Sequence, residues 1–361
     1  MRPKLLRRID DINQMTKPTQ KDLISVYRKD VHIDLAKKDK SHFSRTHPLD
    51  LIRLPHNALP EMDFEEIDTR CDFFSRKLSF PFMITGMTGG TERGDKLNRA
   101  FAEVANHCRV AFGVGSQRSS IAHNRSQNEI RKLAPNIPII GNIGGVQLAQ
   151  NNGLDLAKAS VNDLEADALA IHLNPLQEII QPEGERNWSG VLKAIEKAAR
   201  DLPCPLLVKE VGSGISLPVA LKLQNVGVSH IDVACAGGTS WARIEAKRLP
   251  EKKRDTYAPF LDWGHSITDI LPEMRNSLKN VTLIGSGGLR NGLDLAKLLW
   301  LGCDIGGGAA LLLKALESEN LDIQQKQLQD VLNRLNEQLS IALFLTGFKI
   351  PIYLNKQRET P

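Results

Sequence analysis

Four groups of residues in this 361-residue chain could act on a phosphorylated small molecule. Lys209 interrupts the aliphatic run PLLVKEV (205–211). A lysine in such a run is rarely buried unless paired. Its ammonium either faces a site where negative charge develops or pairs with the adjacent Glu210. Glu178 ends the stretch HLNPLQE, after His172 and Asn174. Mg²⁺ takes hard oxygen ligands and often only one or two carboxylates, the rest being water and substrate phosphate. One glutamate therefore suffices for a diphosphate, although most loop glutamates are simply solvated. The stretches SGGLRNG (286–292) and GGGAA (306–310) are glycine-rich turns running into helix starts. There the backbone N–H groups can approach a phosphate, and Arg290 can add a charge-assisted bond. Tight turns alone would also use these glycines. Finally, RKDVH (28–32) groups Arg28, Lys29 and His32, a run that more often marks a solvated face.

The elements that must position these groups are legible as eight short aliphatic runs bounded by glycine or proline. They are FPFMIT (80–85), RVAFGV (109–114), IPIIGN (137–142), ALAIHL (168–173), PLLVKEV (205–211), HIDVACA (230–236), VTLIGS (281–286) and CDIGGGA (303–309). None alternates, which is the pattern of strands buried on both faces. Helix-period segments such as SGVLKAIEKAARDL (189–202) and NGLDLAKLLWLG (291–302) lie between most of them. Eight strands with interposed helices predict a (β/α)8 TIM barrel, with a doubly wound open sheet as the alternative. In a barrel, functional residues collect where strands end, and three of the four groups fall at such points. The domain reading is an N-terminal arm over 1–66 and a single barrel over 67–361. A long, charged insertion (242–280) between the sixth and seventh strands is a candidate lid. A helical tail over Leu321–Leu345 packs outside. The heptapeptide NGLDLAK occurs twice, at 152–158 and 291–297, half a barrel apart. It reads either as shared helix-start chemistry or as the relic of a half-barrel duplication.

Composition excludes several classes. The net charge is only +5 and no basic stripe is concentrated, so nucleic acid is not an expected partner. The basic N-terminus is not followed by an apolar core, so it is no signal peptide. No apolar run reaches the roughly 20 residues needed to cross a membrane. The five cysteines are odd in number and irregular in spacing, which argues against a disulfide framework. A cytoplasmic location is expected. Aromatic residues are only 5% of the chain, so the core must be aliphatic.

The ordered set RKDVH, TGMTGG, GSQR, GNIGG, HLNPLQE, QPEGERNWSG, VKEVGSGIS, AGGTSWARIE, DWGHSI and SGGLRNG resembles the type 2, FMN-dependent isopentenyl-diphosphate delta-isomerase family, from Arg28 to about residue 315. The resemblance implies an enzyme that interconverts isopentenyl and dimethylallyl diphosphate with FMN, Mg²⁺ and NADPH as reductant. It implies that FMN is held by Thr85, Gly86, Met87, Thr88, Ser116, Asn142, Lys209, Thr239, Gly287, Gly288, Arg290, Ala309 and Ala310. The substrate would meet Arg28, Lys29, His32, Ser116, Gln117, Arg118, His172, Asn174 and Gln177. Glu178 would bind the metal, and Gln177, His172 and Lys209 would be the catalytic side chains. A homo-oligomer, tetramer or octamer, is also implied.

Three positions depart from the family pattern: Glu185 stands where an Asp is common, Ala234 where a Ser is common, and GGGAALLL lacks the Arg or Gly often found after its first Ala. The reaction is a redox-neutral 1,3-allylic proton shift. Few strong acids or bases fall at carbon-contact positions, so reduced FMN, through N5, is the expected acid/base while the protein orients the substrate. The rival on the same barrel is an FMN-dependent 2-hydroxy-acid oxidase or dehydrogenase. Such enzymes place a His before a late Gly-Gly pair, where this chain has Ala236 before Gly237. A non-catalytic flavin- or phosphate-binding module is the other alternative; it would not need the Gln177–Glu178 pair.

Overall fold

In the computed structural model, residues 29, 31–37, 41–44, 46–123, 125–316, 320–351 and 354 are described. Arg28 and the expectations placed on it lie outside them. Strands β1 (Cys71–Phe73) and β2 (Arg76–Leu78) form an antiparallel hairpin. Eight parallel strands follow: β3 (Phe82–Ile84), β4 (Ala111–Gly113), β5 (Ile139–Gly144), β6 (Ala168–His172), β7 (Leu206–Lys209), β8 (His230–Asp232), β9 (Thr282–Ser286) and β10 (Ile305–Gly308). They close into a barrel in chain order, with β10 pairing back onto β3. All eight expected runs supply a strand, most of them shorter than the run. The run 205–211 shows one cause. After Lys209 the chain leaves the sheet, because the Glu210 carboxylate gathers the backbone N–H groups of Val211, Gly212 and Ser213 into a turn.

The hairpin was not expected. Its two turn residues, Phe74 and Ser75, both have positive φ (46° and 58°). Turns of this kind usually advertise themselves with Asn-Gly or Asp-Gly. Phe73 and Leu78 join Met83, Ala111, Ile140, Leu207, Ile284 and Ile305 in one buried cluster inside the barrel. Phe74 stacks on His230 at 4.2 Å between ring centroids. The hairpin thus plugs the end of the barrel where the strands begin.

A larger aliphatic layer joins the outer faces of the strands to the helices. Both copies of NGLDLAK start helices, Gly153–Leu164 and Gly292–Leu301, but only Asn291 caps with its side chain, accepting from Asp294 N–H. The tail is the helix Leu321–Thr346. Its Leu328, Leu332, Leu335 and Leu339 are buried at the spacing of one helix face. It lies so close to Gly292 that a Cβ there would sit 2.2 Å from the Leu335 carbonyl oxygen. The insertion is folded into helices Trp241–Arg248 and Glu251–Tyr257, a short 3-10 turn, and the helix Ile267–Ser277. All five cysteines are free. Among the described residues no helix is long and apolar enough to cross a membrane.

Candidate active site

A cavity of about 1070 Å³ opens at the ends of the barrel strands. Thr85, Gly86, Met87, Thr88, Ser116, Asn142, Lys209, Thr239, Gly287, Gly288, Arg290, Ala309 and Ala310 all line it. So do Lys29, His32, Arg118, His172, Asn174, Gln177 and Glu178. Gln117 is a correction. Its side chain is fully buried in the barrel wall, not in the cavity. Its Oε1 accepts from Asn142 N–H at 2.9 Å and its Nε2 donates to Ser160 O at 3.1 Å. It therefore fixes the strand that carries Asn142 and lies behind the cavity lining.

The walls are shaped by close backbone approach. A Cβ on Gly86 would stand 2.1 Å from the Val114 carbonyl oxygen, which itself accepts from Asn142 Nδ2 at 3.0 Å. Gly287 and Gly288 have φ of 114° and 102°, the region that glycine alone enters freely. Side chains there would strike the carbonyl oxygens of Cys235 and Gly237 at 2.1 and 2.4 Å. The turns at 237–238 and 287–288 thus abut, leaving bare backbone at the cavity edge. The Arg290 guanidinium beside them bonds Asp294 and Asp50, and these bonds push its pKa further up.

Lys209 is buried at the end of β7, and its Nζ donates to the Glu210 carbonyl. The Glu210 carboxylate is committed to its own loop, so the two side chains are not a simple ion pair. Asp232, opposite Lys209 across the β7–β8 register, is fully buried. Its Oδ1 accepts from Ser286 Oγ at 2.5 Å. Burial raises its pKa while the Lys209 charge opposes that rise.

His172 is held by Asn142. Because the Asn142 amide nitrogen donates to Val114 O, its Oδ1 accepts from His172 Nδ1–H at 2.8 Å. Burial, with the charges of Lys209 and Lys29, pulls the imidazole down to about 3, so the ring is neutral near pH 7. Lys29 donates to Gly89 O at 2.6 Å, which fixes the described part of the arm at the cavity edge.

The helix Pro175–Ile180 carries Gln177 and Glu178. Glu178 accepts from Asn174 Nδ2 at 3.0 Å and from Glu185 N–H at 2.7 Å. Those two bonds orient the carboxylate. Among the described residues no group of three or more metal-binding side chains exists, so a cation here would draw its other ligands from water and substrate.

Sequence reasoning passed over Glu245, although it stands in the quoted motif AGGTSWARIE. Glu245 is fully buried. It accepts from Gln177 Nε2 at 3.1 Å, pairs with His32 Nε2 at 3.0 Å and contacts Arg248. Burial pushes its carboxyl up, but these partners outweigh that and hold it down at about 2. Trp241, four residues earlier on the same helix, meets His32 edge-on at 5.3 Å. Trp241 lines the cavity and Glu245, one helical turn on, lies buried behind it; that i, i+4 spacing was the signal available.

The FMN-dependent dehydrogenase family matches residues 148–357. An isopentenyl-diphosphate delta-isomerase of Pseudescherichia vulneris is 42% identical over 333 residues, covering 91% of this chain and 94% of its own. One from Nostoc sp. (strain PCC 7120 / SAG 25.82 / UTEX 2576) is 41% identical over 339 residues, covering 92% and 95%. The chain belongs to the isopentenyl-diphosphate delta-isomerase family. Among solved structures, a mandelate oxidase with an FMN adduct is similar, with a TM-score of 0.62 over 98% of both chains at 16% identity. At that identity the likeness bears on the fold alone. Mandelate oxidase is thus a distant structural neighbour of this delta-isomerase family member, and the barrel fold is what they share.

Proposed function

We propose that the chain interconverts isopentenyl and dimethylallyl diphosphate, with reduced FMN held at the glycine turns and Mg²⁺ on the substrate diphosphate. The observation that carries this reading is the Gln177–Glu178 pair. One side chain is tied to buried Glu245 and the other is oriented toward the cavity that the glycine cradle borders.

The residues present fit both groups. Gly287 and Gly288 border the cavity with side-chain-free backbone, packed so closely on Cys235 and Gly237 that no Cβ fits, and Lys209 is a buried cation suited to an anionic flavin. The oriented Glu178 carboxylate is a hard donor, enough for Mg²⁺ when phosphate and water complete its shell.

When bound and reduced, FMN would supply the group, with N5 as the candidate, that exchanges protons with the allylic carbons. The protein does the rest. Lys29, Arg118 and Asn174 hold the diphosphate end, with neutral His172 beside them. Gln177, kept in place by Glu245, would border the hydrocarbon end of the substrate. Lys209 neutralises negative charge on the ring. Fixing donor and acceptor in one geometry lowers the barrier by removing orientation freedom. NADPH is the proposed reductant, the location cytoplasmic and the assembly a homo-oligomer.

The test is to purify the protein, record its flavin spectrum, and assay isopentenyl diphosphate anaerobically with and without NADPH. Turnover only after reduction, with no net consumption of reductant, is expected. Full-rate turnover by the oxidised enzyme, or flavin reduction by hydroxy acids in its place, overturns the reading.

A further inference from the structure

The arm is stitched between the two glycine turns. Ser41 O accepts from Ser240 N–H at 2.9 Å, and Phe43 N–H donates to Gly238 O at 3.1 Å. Leu49 O accepts from Lys297 Nζ at 2.7 Å, and Asp50 pairs with Arg290 at 2.5 Å. In the middle stands His47, which lines the cavity with Gly287 and Gly288. Its Nε2 lies 2.8 Å from Gly288 O. A carbonyl oxygen only accepts, so Nε2 carries the proton of the neutral ring. That leaves Nδ1, which is buried and has no hydrogen-bond partner among the described residues. A buried ring nitrogen without a partner costs free energy unless something comes to meet it.

We propose that His47 is a phosphate ligand delivered by the arm, and that it takes up one proton from solvent as the flavin phosphate binds. This rests on the FMN reading above. The groups facing the ring are Arg290, Asp294 and Asp50. In the free protein, burial and then the Arg290 charge lower the His47 pKa, so Nδ1 is a bare lone pair that repels an anion. A phosphate dianion in the neighbouring cradle reverses that balance. Nδ1 then gains a proton from solvent and donates it in a hydrogen bond to a phosphate oxygen, while Nε2–H stays on Gly288 O. Binding is strongest where the bound-state imidazole is protonated and is lost as pH rises through its raised pKa.

The experiment titrates the full-length protein, stripped of flavin, with FMN and separately with riboflavin between pH 7 and 9. A phosphate with a second pKa near ~6 is already doubly charged there. For the native protein the FMN dissociation constant should rise by about tenfold or more across the window, the limit for one linked proton being tenfold per pH unit. Riboflavin, lacking the phosphate, should bind equally across it. His47→Gln can still donate to Gly288 O but cannot take up a proton, so its FMN profile should be flat. A His47→Gln profile that overlies the native one, or a parallel weakening of riboflavin, overturns the proposal. A native protein that binds neither flavin at any pH overturns the FMN reading itself, and this inference with it.

Discussion

Gln177 Nε2 donates to Glu245 Oε1 at 3.1 Å, and the same carboxylate oxygen meets His32 Nε2 at 3.0 Å. One buried anion therefore positions two cavity-lining side chains, Gln177 on its helix and His32 on the arm. Glu245→Gln should lower kcat by about 100-fold with KM changed only a few-fold, because displacing a reacting group by an ångström costs on that order. Glu245→Asp, which keeps the charge, should recover part of the loss. Equal losses in both variants, or a loss confined to KM, would remove Glu245 from the positioning of Gln177.

Glu178 accepts from Asn174 and Glu185 and presents its remaining lone pairs to the cavity. Glu178→Gln should abolish the Mg²⁺ requirement and most of the activity while the protein keeps its flavin spectrum. Unchanged activity would dismiss the metal assignment.

Lys209 is the buried cation at the end of β7. Replacing it by Met should raise the ionisation of the reduced flavin by about one to three pH units, the usual effect of removing an opposite charge a few ångströms away. The check is a spectroscopic titration of the reduced protein. No displacement would mean that the ammonium does not face the ring.

Two histidines make stability pH-dependent. Burial pulls His230 down to about 4, and burial with two lysine charges pulls His172 down to about 3. Both folded pKa values lie below the unfolded value, so between about pH 6.5 and pH 4 the unfolded chain binds more protons. Stability should be complete above about pH 6.5 and should fall as pH drops toward 4. His230→Phe preserves a ring against Phe74 and should flatten part of that fall in urea midpoints. A midpoint that rises on acidification would contradict the assignment.

The barrel was legible because each wall strand is buried on both faces and reads as an aliphatic run. Lys209 stood out for the same reason, as a charge in an apolar segment. What escaped detection depended on contacts distant in sequence. The Phe74–Ser75 turn carries no Gly, Asn or Asp; its positive φ values occur where the hairpin seats Phe73 and Leu78 inside the barrel. Gln117 sits in a motif full of cavity residues, yet the Asn142 and Ser160 backbones capture it. His47 follows no motif at all, and only the path of the arm brings it to Gly288.

Closure of the barrel by β10 on β3 joins the last wall strand to the first. The turns at 287–288 and 309–310 therefore stand beside residues made at the start of the barrel, and the strap at 41–50 reaches them from still earlier in the chain. Such pairings are formed late and slowly in folding. No fragment ending before residue 305 can enclose the cavity, because it lacks β10 and the lining residues that follow it. A fragment cut before residue 305 should therefore be colourless.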